Sequence, residues 1–268
     1  MPDHVELLAG IKRMTVRPTD VWLCGYRKSG NTWLSEIVSL VMADGVVDRV
    51  LGRPIGERVP SFFQNNLSKP VLQYFHELAD PRIIYIVRNP KDCCLSAFRF
   101  HHNMKLLAID WHDFYQLFLD GDVLNGDWFQ HLNDFWLTYG SNHANVLFVA
   151  YEELRADLPA MVCTIARFLG KQFTDETVTA IVTHCTADAM RDNPMANRSD
   201  MKQALNLKAN FVGNATVGDG RRHMSVEESA LFDETYGHRL RAIRLRLCDD
   251  MADAQRCMRN TGRIIARQ

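Results

Sequence analysis

The segment that follows the first apolar run combines a lysine, hydroxyl groups and glycines at a spacing suited to binding an anion. It reads Gly25-Tyr26-Arg27-Lys28-Ser29-Gly30-Asn31-Thr32-Trp33. A glycine-containing turn lets backbone N–H groups converge, and the start of the following helix adds about half a positive charge. Lys28, Ser29 and Thr32 supply further donors. The segment therefore predicts an anion-binding loop, because a plain strand-to-helix turn needs neither the cation nor two hydroxyl groups.

The position of the lysine argues against a nucleotide triphosphatase. The Walker A pattern, G-x-x-x-x-G-K-[ST], places its lysine directly after a glycine, whereas here Asn31 follows Gly30 and Lys28 lies two residues before Gly30. In a Walker loop the lysine reaches the β and γ phosphates, and the next hydroxyl holds magnesium. Lys28 is better placed for one bridging phosphate oxygen. We therefore expect no metal, and a P-loop kinase is a disfavoured hypothesis.

A second candidate anion site follows the next apolar run, at Arg88-Asn89-Pro90-Lys91-Asp92. Pro90 suits the first turn of a helix, and Ser96 lies eight residues after Arg88 on that helix. Arg88 at the carboxyl edge of a sheet can donate two hydrogen bonds to a phosphate, although a structural ion pair is an alternative. Two anion sites at neighbouring strand ends predict one ligand with two separated phosphate groups.

The alternation of short apolar runs with helical patterns predicts the elements that position these loops. The predicted strands are Asp20–Cys24, Arg82–Val87 and Asn145–Tyr151, and the helices after them are Asn31–Ala43, Lys91–Met104 and Leu158–Leu169. This order predicts an α/β fold of three layers, with a central, mostly parallel sheet, a P-loop-like anion-binding loop and helices on both faces. The segment Asn193–Arg222 is rich in Asn and Gly, which predicts a long functional loop.

Composition and charge exclude several classes of protein. The 268 residues are 47% hydrophobic and 24% charged, which excludes disorder, collagen and coiled coil and favours one domain over residues 1–268. The net charge of -1 does not favour nucleic acid or a membrane surface as partner. Seven cysteines without a CxxC spacing suggest neither a disulfide framework nor a zinc site. We expect a cytoplasmic protein whose anion site is local.

Taken together, five segments resemble the cytosolic sulfotransferase family, whose donor is 3′-phosphoadenosine 5′-phosphosulfate (PAPS). The first loop resembles T-Y-P-K-S-G-T-T-W, which holds the 5′ phosphosulfate, and Arg88–Asp92 with Ser96 resembles the 3′-phosphate signature. The other three are Tyr151-Glu152-Glu153-Leu154, which is similar to the segment at the adenine, Gly126–His131 and Asn193–Met195. The likeness runs from about Thr19 to about Leu240, most of the chain.

The resemblance implies a sulfotransferase that moves a sulfuryl group from PAPS to a hydroxyl or amine of a small, apolar or aromatic acceptor and releases 3′-phosphoadenosine 5′-phosphate (PAP). Lys28 would stabilise negative charge on the oxygen that bridges sulfur to the leaving phosphate. The implied nucleotide-binding residues are Arg27, which replaces the loop proline, Lys28, Ser29, Gly30, Asn31, Thr32 and Trp33 in the first loop, Arg88 and Ser96 at the 3′ phosphate, and Tyr151 at the base. Such transfer needs positioning and charge stabilisation more than covalent help.

The sequence departs from the family at the segment that carries the catalytic histidine. The family pattern there is K-x-H, and this chain offers only Lys69-Pro70. His76, the one histidine in that interval, is the candidate general base, with a surface or satisfied histidine as the alternative.

A second departure concerns the loop that closes over the 3′ phosphate. The family pattern F-x-R-K-G-x-x-G-D-W is replaced by Phe211–Gly220, which lacks both cations and the tryptophan, although Arg221 and Arg222 follow directly. The adenine aromatic of the T-S-F segment is also absent from Cys185-Thr186-Ala187. These changes leave a second hypothesis, a sulfotransferase fold with altered or lost chemistry that binds PAP or another nucleotide. The family's dimer signature, K-x-x-x-T-V-x-x-x-E, is matched only by Arg221-x-x-x-Ser225-Val226-x-x-x-Ala230, which lacks the acid, so the oligomeric state stays open.

Overall fold

The computed structural model describes residues 16–60, 81–104, 108–140, 143–204, 211–213 and 215–265. Its strands are β1 (Val21–Cys24), β2 (Arg82–Val87) and β3 (Val146–Ala150). The helices are α1 (Asn31–Met42), α2 (Asp48–Leu51), α3 (Ile55–Arg58), α4 (Pro90–Asn103), α5 (Trp111–Asp120), α6 (Trp128–Tyr139), α7 (Tyr151–Ala156), α8 (Leu158–Phe168), α9 (Asp175–His184), α10 (Ala187–Asp192), α11 (Ser199–Ala204), α12 (Asp219–His223), α13 (Val226–Ala242) and α14 (Met251–Thr261).

The three strands form one parallel sheet with β2 in the middle. Cys24 pairs with Tyr85, and Val87 pairs with Ala150. Because the strands run in the same direction, their carboxyl ends share one edge of the sheet, where ligands of open α/β folds bind. The loop after β1, Arg88 after β2 and Tyr151 after β3 therefore meet at that edge.

The two faces of β2 contribute to two separate apolar cores. Tyr85 and Val87 pack with the aromatic residues of α5, α6 and α13. Ile84 and Ile86 pack on the opposite face against α1, α8 and α9. Each strand residue of β2 after Arg82 is buried, as a sheet covered by helices on both faces requires. The predicted three-layer α/β fold is confirmed.

The structure also differs from the predictions at particular residues. Tyr151 begins α7 instead of ending β3, because the Glu153 carboxylate accepts the Ala150 N–H at 2.8 Å and starts a helix there. The stretch predicted as a loop, residues 193–222, contains α11 and α12, so that prediction was wrong for those residues. That one domain spans residues 1–268 stays a prediction. Within the described ranges, no helix has both the length and the apolar content to cross a bilayer.

Candidate functional site

The loop after β1 leads into α1 without a side-chain cap. Gly30 occupies the N-cap position with φ of 104°, and no described side chain accepts a hydrogen bond from the first turn of α1. Every other described helix of eight or more residues begins with an Asn, Asp, Ser or Thr side chain that caps it. The start of α1 is thus left open in the way that an anion-binding helix N-terminus requires.

Replacing Gly30 with alanine is expected to destabilise this loop. A Cβ atom at Gly30 would lie 2.7 Å from Cδ2 of Tyr151, and the left-handed backbone there costs an L-residue about 1 to 2 kcal/mol. We expect the free energy of unfolding to fall by more than that strain alone, as measured by urea denaturation. Gly52→Ala is the control, since φ there is −87° and no atom lies within 4 Å of the added Cβ. Equal stability of the two variants would contradict the close packing of Gly30 on Tyr151.

Lys28 lies in this loop as a half-buried cation with φ of 68°. Its Nζ lies 4.3 Å from the centre of the Phe100 ring, and the Arg27 guanidinium lies 5.3 Å from the same ring centre. Burial and the nearby charges of Arg27 and Arg88 lower the pKa of Lys28 to about 8. No carboxylate among the described residues forms an ion pair with Lys28. Its charge is uncompensated, which favours the binding of an anion.

Arg88 joins the ends of all three strands. Its Nη1 donates a hydrogen bond to the carbonyl oxygen of Lys28 at 3.2 Å, and its Nη2 donates to that of Thr216 at 2.9 Å. The guanidinium carbon lies 4.2 Å from the centre of the Tyr151 ring. Arg88 also forms the structural ion pair that the sequence analysis gave as an alternative, because its Nη2 lies 3.4 Å from Oδ2 of Asp92. The buried Nε has no partner among the described residues, so its N–H is left for a ligand.

Asp92 holds the segment that replaces the family's basic loop. Its carboxylate accepts the N–H of Gly218 at 3.0 Å and the N–H of Gly220 at 2.7 Å. A Cβ atom on Gly220 would lie 2.3 Å from the Lys91 carbonyl, so this glycine allows the close approach. Arg222 pairs with Asp219 and is largely exposed. The segment is therefore anchored to α4 by backbone donors although it lacks the two cations.

Asn89 and Lys91 fix the position of the Arg88 segment. The Asn89 side chain accepts the Lys91 N–H at 2.9 Å, and its Nδ2 donates to the Cys248 carbonyl at 3.0 Å and to Asp249 at 2.9 Å. The buried Lys91 ammonium pairs with Asp233 at 2.7 Å. These two residues are engaged with the protein itself, and Arg88 is the member of the segment that contacts the first loop.

Trp33 and Tyr151 form an aromatic surface next to this edge of the sheet. Their ring centres lie 5.4 Å apart in an edge-to-face arrangement, and Trp33 Nε1 donates to the Cys185 carbonyl at 2.8 Å. Cys185 belongs to the segment that lacks the family's adenine aromatic. The contacts that the resemblance implies between these rings and a base stay predictions.

The remaining residues predicted to bind the nucleotide or to act as base differ in burial and in their hydrogen-bond partners. The buried Ser29 hydroxyl lies 3.5 Å from Cys93 Sγ, and Asn31 Nδ2 donates to the Tyr26 carbonyl at 3.0 Å, so both side chains support the loop from within. Thr32 and Ser96 are half-buried. His76 and Lys69 lie outside the described residues, and the role predicted for His76 stays a prediction.

A cleft that is partly open to solvent lies directly beside Lys28. Its lining residues are Tyr26, Arg27, Lys28, Ala97, Phe100, His101, Phe114, Val123, Leu124 and Asn125. The lining is mostly apolar, with the two cations as its charged groups, so an apolar surface adjoins the anion site. The sequence predictions did not include His101, although Ala97, Phe100 and His101 have the spacing of one helix face.

One group of possible metal ligands exists in the described part of the chain. Cys248, Asp253 and Cys257 offer ligand atoms within 4.8 Å of one another. Asp253 already pairs with Arg246 and Arg256, and burial together with Asp253 raises the pKa of the Cys248 thiol. An Asp253 carboxylate that already pairs with two arginines and a Cys248 thiol that keeps its proton both disfavour the binding of a metal cation. These contacts therefore favour a structural role for the group.

Comparison with known sequences identifies the family. The sequence model of the sulfotransferase domain matches residues 18–244. Rabbit (Oryctolagus cuniculus) amine sulfotransferase is 31% identical over 273 residues, 93% of this chain and 90% of that protein. Rat (Rattus norvegicus) sulfotransferase 1C2 is 28% identical over 274 residues, 92% of each chain. The matched region includes the loop after β1 and the Arg88 segment.

Comparison with solved structures agrees with this result. Mouse sulfotransferase SULT7A1 complexed with PAP has a TM-score of 0.69 and 27% identity over 97% of this chain and 94% of that chain. Retinol dehydratase in a complex with retinol and PAP has a TM-score of 0.77 at 20% identity, over 91% and 87% of the two chains, which shows a shared fold. The family match over most of the sequence, together with the parallel sheet and its open loop, leads to one conclusion: the chain belongs to the cytosolic sulfotransferase family and is a sulfotransferase.

Proposed function

We propose that this sulfotransferase uses PAPS as donor and transfers its sulfuryl group to a hydroxyl or amine of a small acceptor that binds in the cleft beside Lys28. PAP is the second product, and no metal takes part. The choice of donor is supported by the PAP in the solved complexes of retinol dehydratase and mouse SULT7A1. A cytoplasmic location belongs to the same proposal and is supported by the family.

The uncompensated charge of Lys28 is the observation that carries this proposal. Lys28 lies beside Arg27 and Arg88 without a carboxylate partner, and burial, followed by these two positive charges, lowers its pKa to about 8. The open start of α1 adds backbone N–H groups to the same place. A phosphosulfate would supply the missing negative charge and raise the pKa of the lysine.

The described residues would bind the donor in one region and the acceptor in another. The start of α1 and Lys28 would hold the 5′ end of the donor, and the Lys28 ammonium would stabilise the charge that develops on the leaving phosphate. Arg88 would bind the 3′ phosphate through its remaining donor, close to Tyr151. The apolar walls of the cleft would orient the acceptor and exclude water.

Calorimetry and a transfer assay test this proposal. PAP is expected to bind without magnesium, and ATP is expected to bind no better when magnesium is added. Radiolabelled sulfate from PAPS should then appear on members of a panel of phenols, alcohols and amines. PAP binding without transfer to any acceptor would favour the fold with lost chemistry, and magnesium-dependent binding of ATP alone would contradict the proposal.

A further inference from the structure

His101 is the imidazole that lines the cleft beside Lys28 in the described part of the chain. It lies on α4 and is only 7% exposed. Its Nδ1 is buried and has no hydrogen-bond partner among the described residues. The ring is held between aromatic neighbours, with centres 5.5 Å from Phe114 and 6.0 Å from Phe100. A buried imidazole with an unused nitrogen at the wall of a cleft is available to a ligand.

The charges around the cleft keep this imidazole neutral. Burial, followed by the positive charges of Arg27 and Lys28, lowers the pKa of His101. The lining residues from α5 and from residues 123–125 carry no titratable side chain. Tyr26 donates its hydroxyl to the Gly126 carbonyl at 2.9 Å, and burial raises its pKa, so it does not compete as a base. His101 therefore has a free lone pair at neutral pH, the form in which a histidine accepts a proton.

We propose that His101 is the general base that takes the proton from the acceptor as the sulfuryl group is transferred. This assignment rests on the proposed function. The acceptor oxygen or nitrogen forms a bond to sulfur, and the bond from sulfur to the 5′ phosphate oxygen breaks, with its electron pair leaving on PAP. The acceptor proton passes to a ring nitrogen of His101 and then to solvent. His101 and Lys28 both line this cleft, so a base and a cation belong to the walls of one site.

The assignment gives the role predicted for His76 to a residue of α4 instead. A K-x-H segment is absent from this chain, so the histidine of that segment has no counterpart at its own position. His101 supplies an imidazole from a helix that is anchored by Asn89, Lys91 and Asp92. A rigidly held base of this kind contributes about 10²- to 10⁴-fold to a rate.

His101→Gln tests the assignment, with His102→Gln as the matched control. His102 is the next residue of α4 and is exposed. We expect kcat for sulfation of 4-methylphenol to fall about 100-fold or more in His101→Gln, while PAP affinity and the melting temperature change little. His102→Gln should keep kcat within about threefold of the wild-type value. Normal kcat in His101→Gln, or a large loss in His76→Gln alone, would overturn the assignment.

The pH profile separates a base from a merely structural residue. In the wild-type enzyme kcat/KM should fall as the pH drops through a pKa below about 6.5, because protonated His101 cannot accept a proton. This acid limb should be absent from His101→Gln, and sulfation of 4-nitrophenol at pH 8, where that phenol is ionised, should be nearly unaffected by the substitution.

Two outcomes would be decisive even if the glutamine variant did not fold. A wild-type kcat/KM that falls as the pH drops below about 6.5 supports His101, and a kcat/KM that stays constant down to the lowest pH at which the protein remains folded overturns it. Failure of the wild-type protein to bind PAP would overturn the proposed function itself. Normal PAP binding and transfer with an unchanged profile in His101→Gln would overturn only the role of this histidine.

Discussion

Lys28→Met is expected to lower kcat for sulfotransfer by about 10²- to 10³-fold, the usual effect of removing one group that stabilises charge in a transition state. Methionine keeps the length and the apolar contact with Phe100 but removes the ammonium. Because the charge on the leaving oxygen develops during the reaction, PAP affinity should change much less than kcat. Single-turnover transfer of labelled sulfate from PAPS measures the rate of transfer, and calorimetry measures the affinity for PAP.

The control for Lys28→Met is Lys171→Met, which removes an ammonium whose partner, Asp44, is largely exposed. Surface pairs of this kind contribute about 0 to 1 kcal/mol to stability, and Lys171 lies outside the cleft. We expect wild-type activity in this control. A Lys28→Met enzyme with normal turnover would remove Lys28 from the mechanism, and a variant that binds PAP 100-fold more weakly would assign the lysine to nucleotide binding.

Arg88→Met is expected to remove most of the preference of the protein for PAP over adenosine 5′-phosphate. A charge-assisted hydrogen bond contributes about 1.5 to 3 kcal/mol, which corresponds to a loss of PAP affinity of about 10- to 150-fold. Adenosine 5′-phosphate lacks the 3′ phosphate, so its affinity should change only a few-fold. Calorimetric titration of both nucleotides into both proteins measures the difference directly.

Arg246→Met is the matched control for this prediction, because Arg246 is 68% exposed and pairs with Asp253. It should bind both nucleotides as the wild type does. An equal loss for the two nucleotides in Arg88→Met would mean that Arg88 acts by holding the loop through the Lys28 and Thr216 carbonyls, and not by binding the 3′ phosphate. A thermal melt shows whether the loss of these contacts has also lowered stability.

The edge of the sheet where the loops meet could be predicted from the sequence. Short apolar runs before Gly25 and before Arg88 indicate parallel strands, and parallel strands place their carboxyl ends together. The contact between the Arg88 guanidinium and the Lys28 carbonyl follows from that arrangement. Local patterns were sufficient here because each strand, its loop and the next helix are consecutive in the chain.

Other parts of the site depend on contacts between distant residues. The Asp92 carboxylate accepts hydrogen bonds from Gly218 and Gly220, which are more than 100 positions away, and no local pattern indicates that these backbone N–H groups anchor the segment to α4. The cleft brings His101 of α4 next to Lys28 of the first loop in the same way. The inward position of the Ser29 hydroxyl is set by Cys93 across the sheet edge. Tertiary packing decides these features.

A crystal structure of the protein with PAP tests the central claim most directly. We expect one nucleotide across the carboxyl edge of the sheet, with its 5′ phosphate at the start of α1 beside Lys28 and its 3′ phosphate within hydrogen-bond distance of the Arg88 guanidinium. A nucleotide bound elsewhere, or one whose two phosphates contact neither of these side chains, would contradict it.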